Sequence, residues 1–443
     1  MNKTSKGAVS MAIIPQKKLF GWTEIQSLGD LERLRLVLDY MPDEELMVKL
    51  EKERKNGRND YPVRAMWNSI LAGIVFQHDT VEKLRRELSR NGQLREICGF
   101  TDQTPSSCSY TRFLKTLIQN EILVERIFDR LVQEISQLLP DYGKSLAMDS
   151  KAIPSFAQHK NKNQTPDGRR DTDANYGKKE YRGINKDGKP WEKVVKWFGY
   201  KLHLIVDSIY ELPVLFTLTK ASASDVVEGR KMVSLLNERL PEMVNRAEVL
   251  TADRGYDDTE LITTCWDQHK IKPVIDIRNM WRDPDQTRLL RNWENVAHDY
   301  KGTVFCYCPL TGKKRGMLNG GFEKSRGTLK KLCPAIRFGL QCQGENKCRV
   351  RQGIRIPLAE NRRIFTPIDR ASYKWKTEYN KRTAVERVNS RLDVSFGFEL
   401  HTIRGMKKMK IRCGLAFCVM LAMAFGRIRE KEGENYRSLV KAV

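Results

Sequence analysis

The spacing of apolar positions divides the chain into a helical first part and a strand-rich second part. An amphipathic helical stretch runs over about Leu31–Leu50. Residues 62–135 read as helices: Trp67, Ile70, Leu71, Ile74 and Val75 recur at steps of three and four, and Val81, Leu84, Leu88 and Leu94 follow more loosely. The run Gly99-Phe100-Thr101-Asp102-Gln103-Thr104-Pro105 breaks the pattern, as turn residues do. A new helix opens near Ser106–Ser109, with Phe113, Leu114 and Leu117 on its buried face. Helix, turn and capped basic helix is the outline of a helix-turn-helix, though many helical bundles share it. Arg112 and Lys115 make this helix the candidate for contact with DNA.

From Lys144 the period becomes that of strands. Ser145–Asp149 is short, apolar and ends in an acid. Residues 158–194 are polar, rich in Lys and Arg and without apolar periodicity, and read as a long loop. Val194–Val206 and Leu212–Thr219 form a hairpin about Asp207–Glu211. Ser224 is placed to cap a helix reaching about Leu240; a strand over Glu248–Ala252, a helix from about Asp258 and a strand over Lys272–Ile277 follow. Three strands in succession suit antiparallel pairing, and the last two, each reached through a helix, suit parallel pairing. The fold class is therefore α/β, with the element order of a ribonuclease-H-like mixed sheet behind an all-α N-terminal region.

Residues 280–365 are rich in Gly, Lys and Cys, with short strand-like pieces such as Gly302–Tyr307, and read as an insertion before a helix over Tyr373–Asp393. The run Cys413–Gly426 is too short to span a bilayer comfortably and reads as a buried helix. The division is 1–60, an N-terminal arm with an amphipathic helix; 61–140, a helical DNA-binding domain; 144–279, the first part of a catalytic core; 280–365, the Cys-rich insertion; 366–430, the second part of the core; and 431–443, a tail.

Charge adds a partner class. The 443 residues carry 79 Lys and Arg against 55 Asp and Glu, a formal net charge of +24. A surplus of this size suits a polyanion, because neutralised phosphates release their counterions. The ten cysteines do not form the even, regular framework of a small secreted domain, and the first residues hold no apolar run of signal-peptide length. A reducing cytoplasm and no membrane are the expectation.

Three acids stand out. Asp149 and Asp253 each follow an apolar strand, and strand ends of an open α/β sheet are where ligands bind. Either alone also suits an ordinary Asx-turn. Tyr379, Arg382, Glu386, Asn389 and Asp393 fall at steps of three and four beside an apolar stripe of Val385, Val388 and Leu392. Together the acids make chemical sense: hard divalent cations take carboxylate oxygens, and a two-metal site activates water against a phosphodiester. Asp149 is the natural bridging ligand. Arg382 is placed to hold a phosphate oxygen pair.

At these residues the chain resembles a bacterial insertion-sequence DDE transposase. Ala147-Met148-Asp149-Ser150 looks like the family's first-acid strand, Gly199-Tyr200-Lys201-Leu202-His203 like its second strand, and Thr251-Ala252-Asp253-Arg254-Gly255-Tyr256-Asp257 like its second-acid motif. Tyr379, Arg382 and Glu386 match the signature around the family's glutamate. Residues 62–118 resemble its N-terminal helical domain. The resemblance implies catalytic, metal-binding Asp149, Asp253 and Glu386; two Mg²⁺ ions, with Mn²⁺ as the alternative; and double-stranded DNA, both transposon ends and target, as partner. It implies DNA contacts by Tyr379, Arg382, Arg254, Arg391, Lys201 and Arg112, and a homodimer on DNA in the bacterial cytoplasm, associated with the nucleoid. The expected reaction is hydrolysis at the transposon end followed by attack of the freed 3′ hydroxyl. One position departs from the signature: seven residues after Glu386 the family carries Lys, and here stands Asp393. Arg391 and the basic run Arg404–Lys410 are the candidates to replace it.

Cys306, Cys308, Cys333, Cys342 and Cys348 cluster in the insertion. Their spacing fits poorly the close Cys pairs usual in structural zinc sites, so zinc and packing thiols both stay open. Trp281 and Trp293 are candidates for stacking on DNA or for packing. Other readings are a nuclease of the same fold without strand transfer, a catalytically inactive DNA-binding derivative, and an RNA-binding protein. The last lacks aromatic platforms in its strands.

Overall fold

Among the described residues, seven α-helices precede the first strand. They are α1 (Glu32–Tyr40), α2 (Glu44–Arg54), α3 (Val63–Val75), α4 (Val81–Arg90), α5 (Gly92–Cys98), α6 (Ser107–Gln119) and α7 (Glu121–Leu138). The structure, a computed structural model, describes residues 28–54, 60–101, 103–157, 171–185, 187–283, 285–430 and 436–437. The polar N-terminal start, positions 158–170 of the basic segment and most of the tail lie outside the described residues. Helix α3 is apolar on nearly every side, with Trp67, Leu71 and Ala72 fully buried, so the others wrap around it. Helix α6 opens where the sequence places it, the Ser106 hydroxyl accepting from the Ser109 amide at 3.2 Å.

The strands β1 (Ser145–Pro154), β2 (Asn175–Ile184), β3 (Pro190–Asp207), β4 (Pro213–Lys220), β5 (Val249–Ala252) and β6 (Lys272–Ile275) form one mixed sheet. Its main layer runs β4-β3-β1-β5-β6; the β1/β3 and β3/β4 pairs are antiparallel and the β1/β5 and β5/β6 pairs parallel. This is the arrangement the element order predicts. Helices α8 (Asp225–Arg239) and α9 (Pro241–Arg246) make the first crossover, and α10 (Thr259–Thr263) the second. Asp258 caps α10, accepting from the Leu261 amide at 2.9 Å. Ser224 precedes α8 as expected, but its hydroxyl makes no capping bond.

Two strand expectations need correction. Strand β1 does not end at Asp149: it stays paired with β3 from Asp149↔Leu204 to Pro154↔Gly199, because the long β3 supplies partners past the apolar part. The segment read as a loop over 158–194 contains β2, which pairs with the first half of β3 as an arm turning at Asn185–Lys189. The outer part of that arm is exposed on both faces, so no apolar alternation marks it.

The insertion builds two small antiparallel sheets. Strands β7 (Arg288–Leu289), β8 (Val296–His298), β9 (Val304–Tyr307) and β10 (Lys314–Gly316) make one. Strands β11 (Leu318–Glu323), β12 (Thr328–Leu332) and β13 (Ile354–Pro357) make the other, with the short α11 (Pro334–Phe338) between β12 and β13. They share a core of their own that includes Val296, Val304, Ile354, Ile356 and Phe365. Trp281 and Trp293 pack against this core, and the Arg288 guanidinium lies 4.3 Å from the Trp281 ring centre, so packing is the reading the structure favours for both.

The chain then returns through α12 (Tyr373–Asn380), α13 (Thr383–Phe396) and α14 (Met406–Arg429). The helix expected over Tyr373–Asp393 is thus two helices, broken at Lys381 and Arg382. Helix α14 is long and apolar enough to cross a membrane by composition, but 89% of its apolar window is buried within the protein, as a core helix is. Its Phe417 meets Phe216 of β4 at 5.0 Å and Phe128 of α7 at 6.2 Å between ring centres. One core therefore runs from Leu28 to Phe425 and joins the helical region to the sheet.

Lys331 of β12 and Asp369, on the segment returning to α12, form an ion pair only 1% and 3% exposed. Removing one partner leaves the other charge buried and uncompensated. Lys331→Ala should therefore cost about 3–5 kcal/mol, read as a lowered denaturation midpoint. An unchanged midpoint would show that the pair does not anchor the insertion.

Candidate active site

The site grows from one register. Strands β1 and β5 pair in parallel with Met148 opposite Ala252, which brings the next residues, Asp149 and Asp253, side by side. Asp149 is held by its neighbour's amide, Ser150 N donating to Oδ1 at 2.7 Å. Asp253 opens a tight turn over Arg254–Tyr256 and accepts from the Gly255 amide at 2.7 Å. A Cβ on Gly255 would stand 2.8 Å from Asp253 Oδ1 and 3.6 Å from Asp225 Oδ2, so glycine keeps the space between these acids open. Burial pushes the Asp149 carboxyl up to about 6, and the adjacent Asp253 charge adds to the rise.

Glu386 lies in the first turn of α13 and Arg382 just before it. The Arg382 guanidinium stands between the acids, Nη1 3.3 Å from Asp149 Oδ2 and Nη2 2.9 Å from Glu386 Oε1. Its carbon lies 5.9 Å from the Tyr379 ring centre, and Tyr379 is stacked on Trp375 at 4.7 Å. The break between α12 and α13 thus directs Arg382 inward from a helix end. Arg254 reaches the same rim, paired through Nη2 with Asp276 at 2.7 Å.

Of the predicted residues, the structure gathers Asp149, Asp253, Glu386, Arg382, Tyr379 and Arg254 around the middle of β1 and the end of β5. Three others stand elsewhere. Lys201 is buried, its ammonium donating to the Ala223 carbonyl at 2.8 Å and to Asp225 at 3.1 Å, so it is not a free DNA contact. Arg391 is drawn under α13 onto the backbone and carboxylate of Glu211, which rules it out as a replacement for the missing lysine. Arg112 is exposed on α6, in the helical region. Asp393 pairs with Lys151 at 2.5 Å, so the acid on α13 answers a lysine two residues past Asp149 on β1.

Sequence reasoning missed three residues. Asp225, first in α8, is a further acid beside Asp253, partly neutralised by Lys201. Lys179 of β2 donates to the Ser150 carbonyl at 3.2 Å and lowers the Asp149 carboxyl from across the arm. Asp257, last residue of the second-acid motif, is buried and grips Arg363 through Oδ2 at 2.5 Å, tying that motif to the end of the insertion. The only signal for Asp257 was its place in the motif; Lys179 had none, because the arm carries no strand pattern.

Carboxylate oxygens on two adjacent strands suit hard divalent cations. Among the described residues no three Asp, Glu, His or Cys side chains already stand at metal-holding spacing; at this site the Arg382 guanidinium pairs with both Asp149 and Glu386.

A mixed sheet in this order, with acids on its two central strands and a glutamate on the helix beside them, defines a ribonuclease-H-like enzyme of the DDE class. The family described as Transposase DDE domain matches residues 146–422, and the chain belongs to it. Residues 23–116 match a second family, described as Transposase domain (DUF772). The chain is a DDE transposase of the insertion-sequence type with an N-terminal transposase domain, and such domains work with divalent metal ions. Among curated proteins nothing matches it. Among solved structures it is similar to the cryo-EM structure of the piggyBac transposase synaptic complex with hairpin DNA. That match has 12% identity over 94% of this chain and 86% of that one, with a TM-score of 0.29, too remote to carry weight.

The Asp149 carboxyl yields a stability test. Its folded value of about 6 stands above the ordinary 3.8, so the folded chain holds this proton more tightly. The destabilisation is absent below the lower value, grows as pH rises between the two, and is constant above. In metal-free buffer at neutral pH, Asp149→Asn should be more stable than the native chain by on the order of 1–3 kcal/mol, with the gap narrowing below about pH 5. Denaturant midpoints at several pH values decide this; an Asn variant that is less stable at neutral pH counts against the crowded-acid geometry.

Proposed function

We propose that this transposase binds the terminal inverted repeats of its own element, hydrolyses a phosphodiester there, and joins the freed 3′ hydroxyl to another DNA strand. The observation carrying this reading is the adjacency of Asp149 and Asp253, each following the paired residues Met148 and Ala252 of β1 and β5, with Glu386 one guanidinium away. Asp149, Asp253 and Glu386 are the residues that would hold two Mg²⁺ ions, Mn²⁺ serving as substitute. Bound there, such ions supply an acidified water and charge stabilisation at the leaving oxygen.

The chain's own residues bind and orient. Arg382 already spans two acids and has the planar fork that suits two phosphate oxygens, so DNA is its natural alternative partner. Arg254 and Tyr379 line the same rim. In the hydrolytic step a water oxygen bonds to phosphorus and the 3′ oxygen leaves, taking up a proton. In the joining step that 3′ oxygen attacks a new phosphorus and displaces the strand's own oxygen. No covalent bond to the protein is needed. Exposed Arg112 and Lys115 on α6 are assigned to sequence-dependent contact with the repeat, which makes 61–140 the end-binding region. Two ends call for two protomers, so the working form is a homodimer.

Asp149→Asn, Asp253→Asn and Glu386→Gln should each lower cleavage of a DNA end in Mg²⁺ by on the order of 10³-fold or more, while gel-shift affinity for that end stays within a few-fold. Cleavage retained in all three variants would remove the catalytic assignment. A nuclease without strand transfer would give cut ends and no joined products in the same reaction.

Affinity for a repeat-end duplex should fall linearly on a log–log plot against salt. With about six to ten phosphate contacts it should drop roughly 10³–10⁵-fold between 50 and 200 mM. A flat dependence would show that the basic surface is not the binding face.

A further inference from the structure

The insertion holds a group of side chains that the transposition chemistry does not use. Cys306 lies in β9 and Cys308 two residues on; Cys333 precedes α11; Cys342 and Cys348 flank the loop that leads to β13. These three stretches are distant in sequence, yet all five cysteines line one cavity of about 20 Å³. All five are free thiols. The sequence spacing argued against a metal because close Cys pairs are missing. The fold removes that objection by bringing separate stretches together.

We propose that four of these five thiols bind a single structural zinc ion that closes the insertion. Three observations support it. The cavity has room for one ion, and all five sulfurs line it. Hydrogen-bond donors are directed at the sulfurs: Arg315 Nη1 stands 3.6 Å from Cys342 Sγ and Asn295 Nδ2 3.6 Å from Cys348 Sγ. Donors of this kind accompany metal-bound thiolates. Gly344 permits the close approach, since a Cβ there would lie 2.8 Å from Pro309 Cδ and 3.1 Å from Cys308 Sγ.

Among the described residues no three ligands are already set around one point. Binding therefore requires the thiols that line the cavity to draw closer together. Soft thiolate ligands in a closed tetrahedral set select zinc, and such closure would reinforce a lobe whose apolar core is small.

The test uses the full chain, purified without added metal or chelator. Metal analysis should give close to one zinc per chain. Exchange for Co²⁺ should give the thiolate-to-cobalt charge-transfer band and the intense visible bands of a tetrahedral site. Single Ser substitutions at the five positions should abolish the metal in four variants and spare it in one, while Cys265→Ser, in the main core, keeps it. Chelation should lower the midpoint of the insertion's unfolding and leave that of the main core. Zinc well below one per chain together with no tetrahedral Co²⁺ spectrum overturns the proposal. So does retention of zinc in all five variants, or iron in place of zinc. Because these readouts measure metal content and spectra, they stand apart from the result of the cleavage assays.

Discussion

Two carboxylates that repel each other are held together at the centre of the sheet, and much of the architecture serves to keep them there. The constraint is the register of β1 against β5. A slip by one residue would turn Asp149 to the opposite face and separate it from Asp253. Such a slip is blocked because β1 is paired on both edges, with β3 on one side and β5 on the other. It is blocked again by the apolar run Leu146-Ala147-Met148, fully buried in the common core. The helices of the first half contribute directly to this. Phe128 of α7, Phe216 of β4 and Phe417 of α14 meet in one cluster, so the helical region braces the sheet.

The third acid depends on a different set of contacts. Glu386 comes after an insertion of some length, and its place is set by how the chain returns. Asp257 and Arg363 join the second-acid motif to the end of the insertion. Arg370 is half-buried, with Nε and Nη2 each 3.2 Å from the Ile275 carbonyl at the end of β6. Lys331 and Asp369 fix the segment between. Each is a buried or half-buried cation held by a defined partner, a carboxylate or a backbone carbonyl. The outcome is the break at Lys381 and Arg382, which lets α12 pack Trp375 and Tyr379 on β5 and β6 while Arg382 turns toward Asp149.

How legible this was from sequence follows the physical origin of each feature. The sheet order could be read because its strands are apolar and its crossovers have helical period. The two Asp positions could be read because they interrupt that apolarity. The β2–β3 arm could not, since both faces of its outer part are in water and impose no pattern. The helix break could not either: a stripe at steps of three and four looks the same whether one helix or two carry it. The residue types at the site were legible, but their availability was not. Lys201 and Arg391 have the chemistry of DNA contacts, and tertiary structure has committed both to carboxylates, Asp225 and Glu211.

That last point changes what the net charge of +24 means. Many cations are consumed inside the fold: Arg239 on Asp129, Arg363 on Asp257, Lys331 on Asp369, Lys151 on Asp393. Among the exposed ones are Lys193 and Lys196 on the arm, Lys374 and Lys376 on α12, and Lys407 and Lys408 at the start of α14. Lys179, on the same arm, and Tyr379, on α12, adjoin the acids. A phosphate backbone drawn to this surface would meet positive charge on either side of a negative site, which it could approach only once cations screen the acids. Arg382 now gives part of that screening. The same guanidinium that holds Asp149 and Glu386 in place is thus the group whose release would couple arrival of metal and DNA to completion of the site.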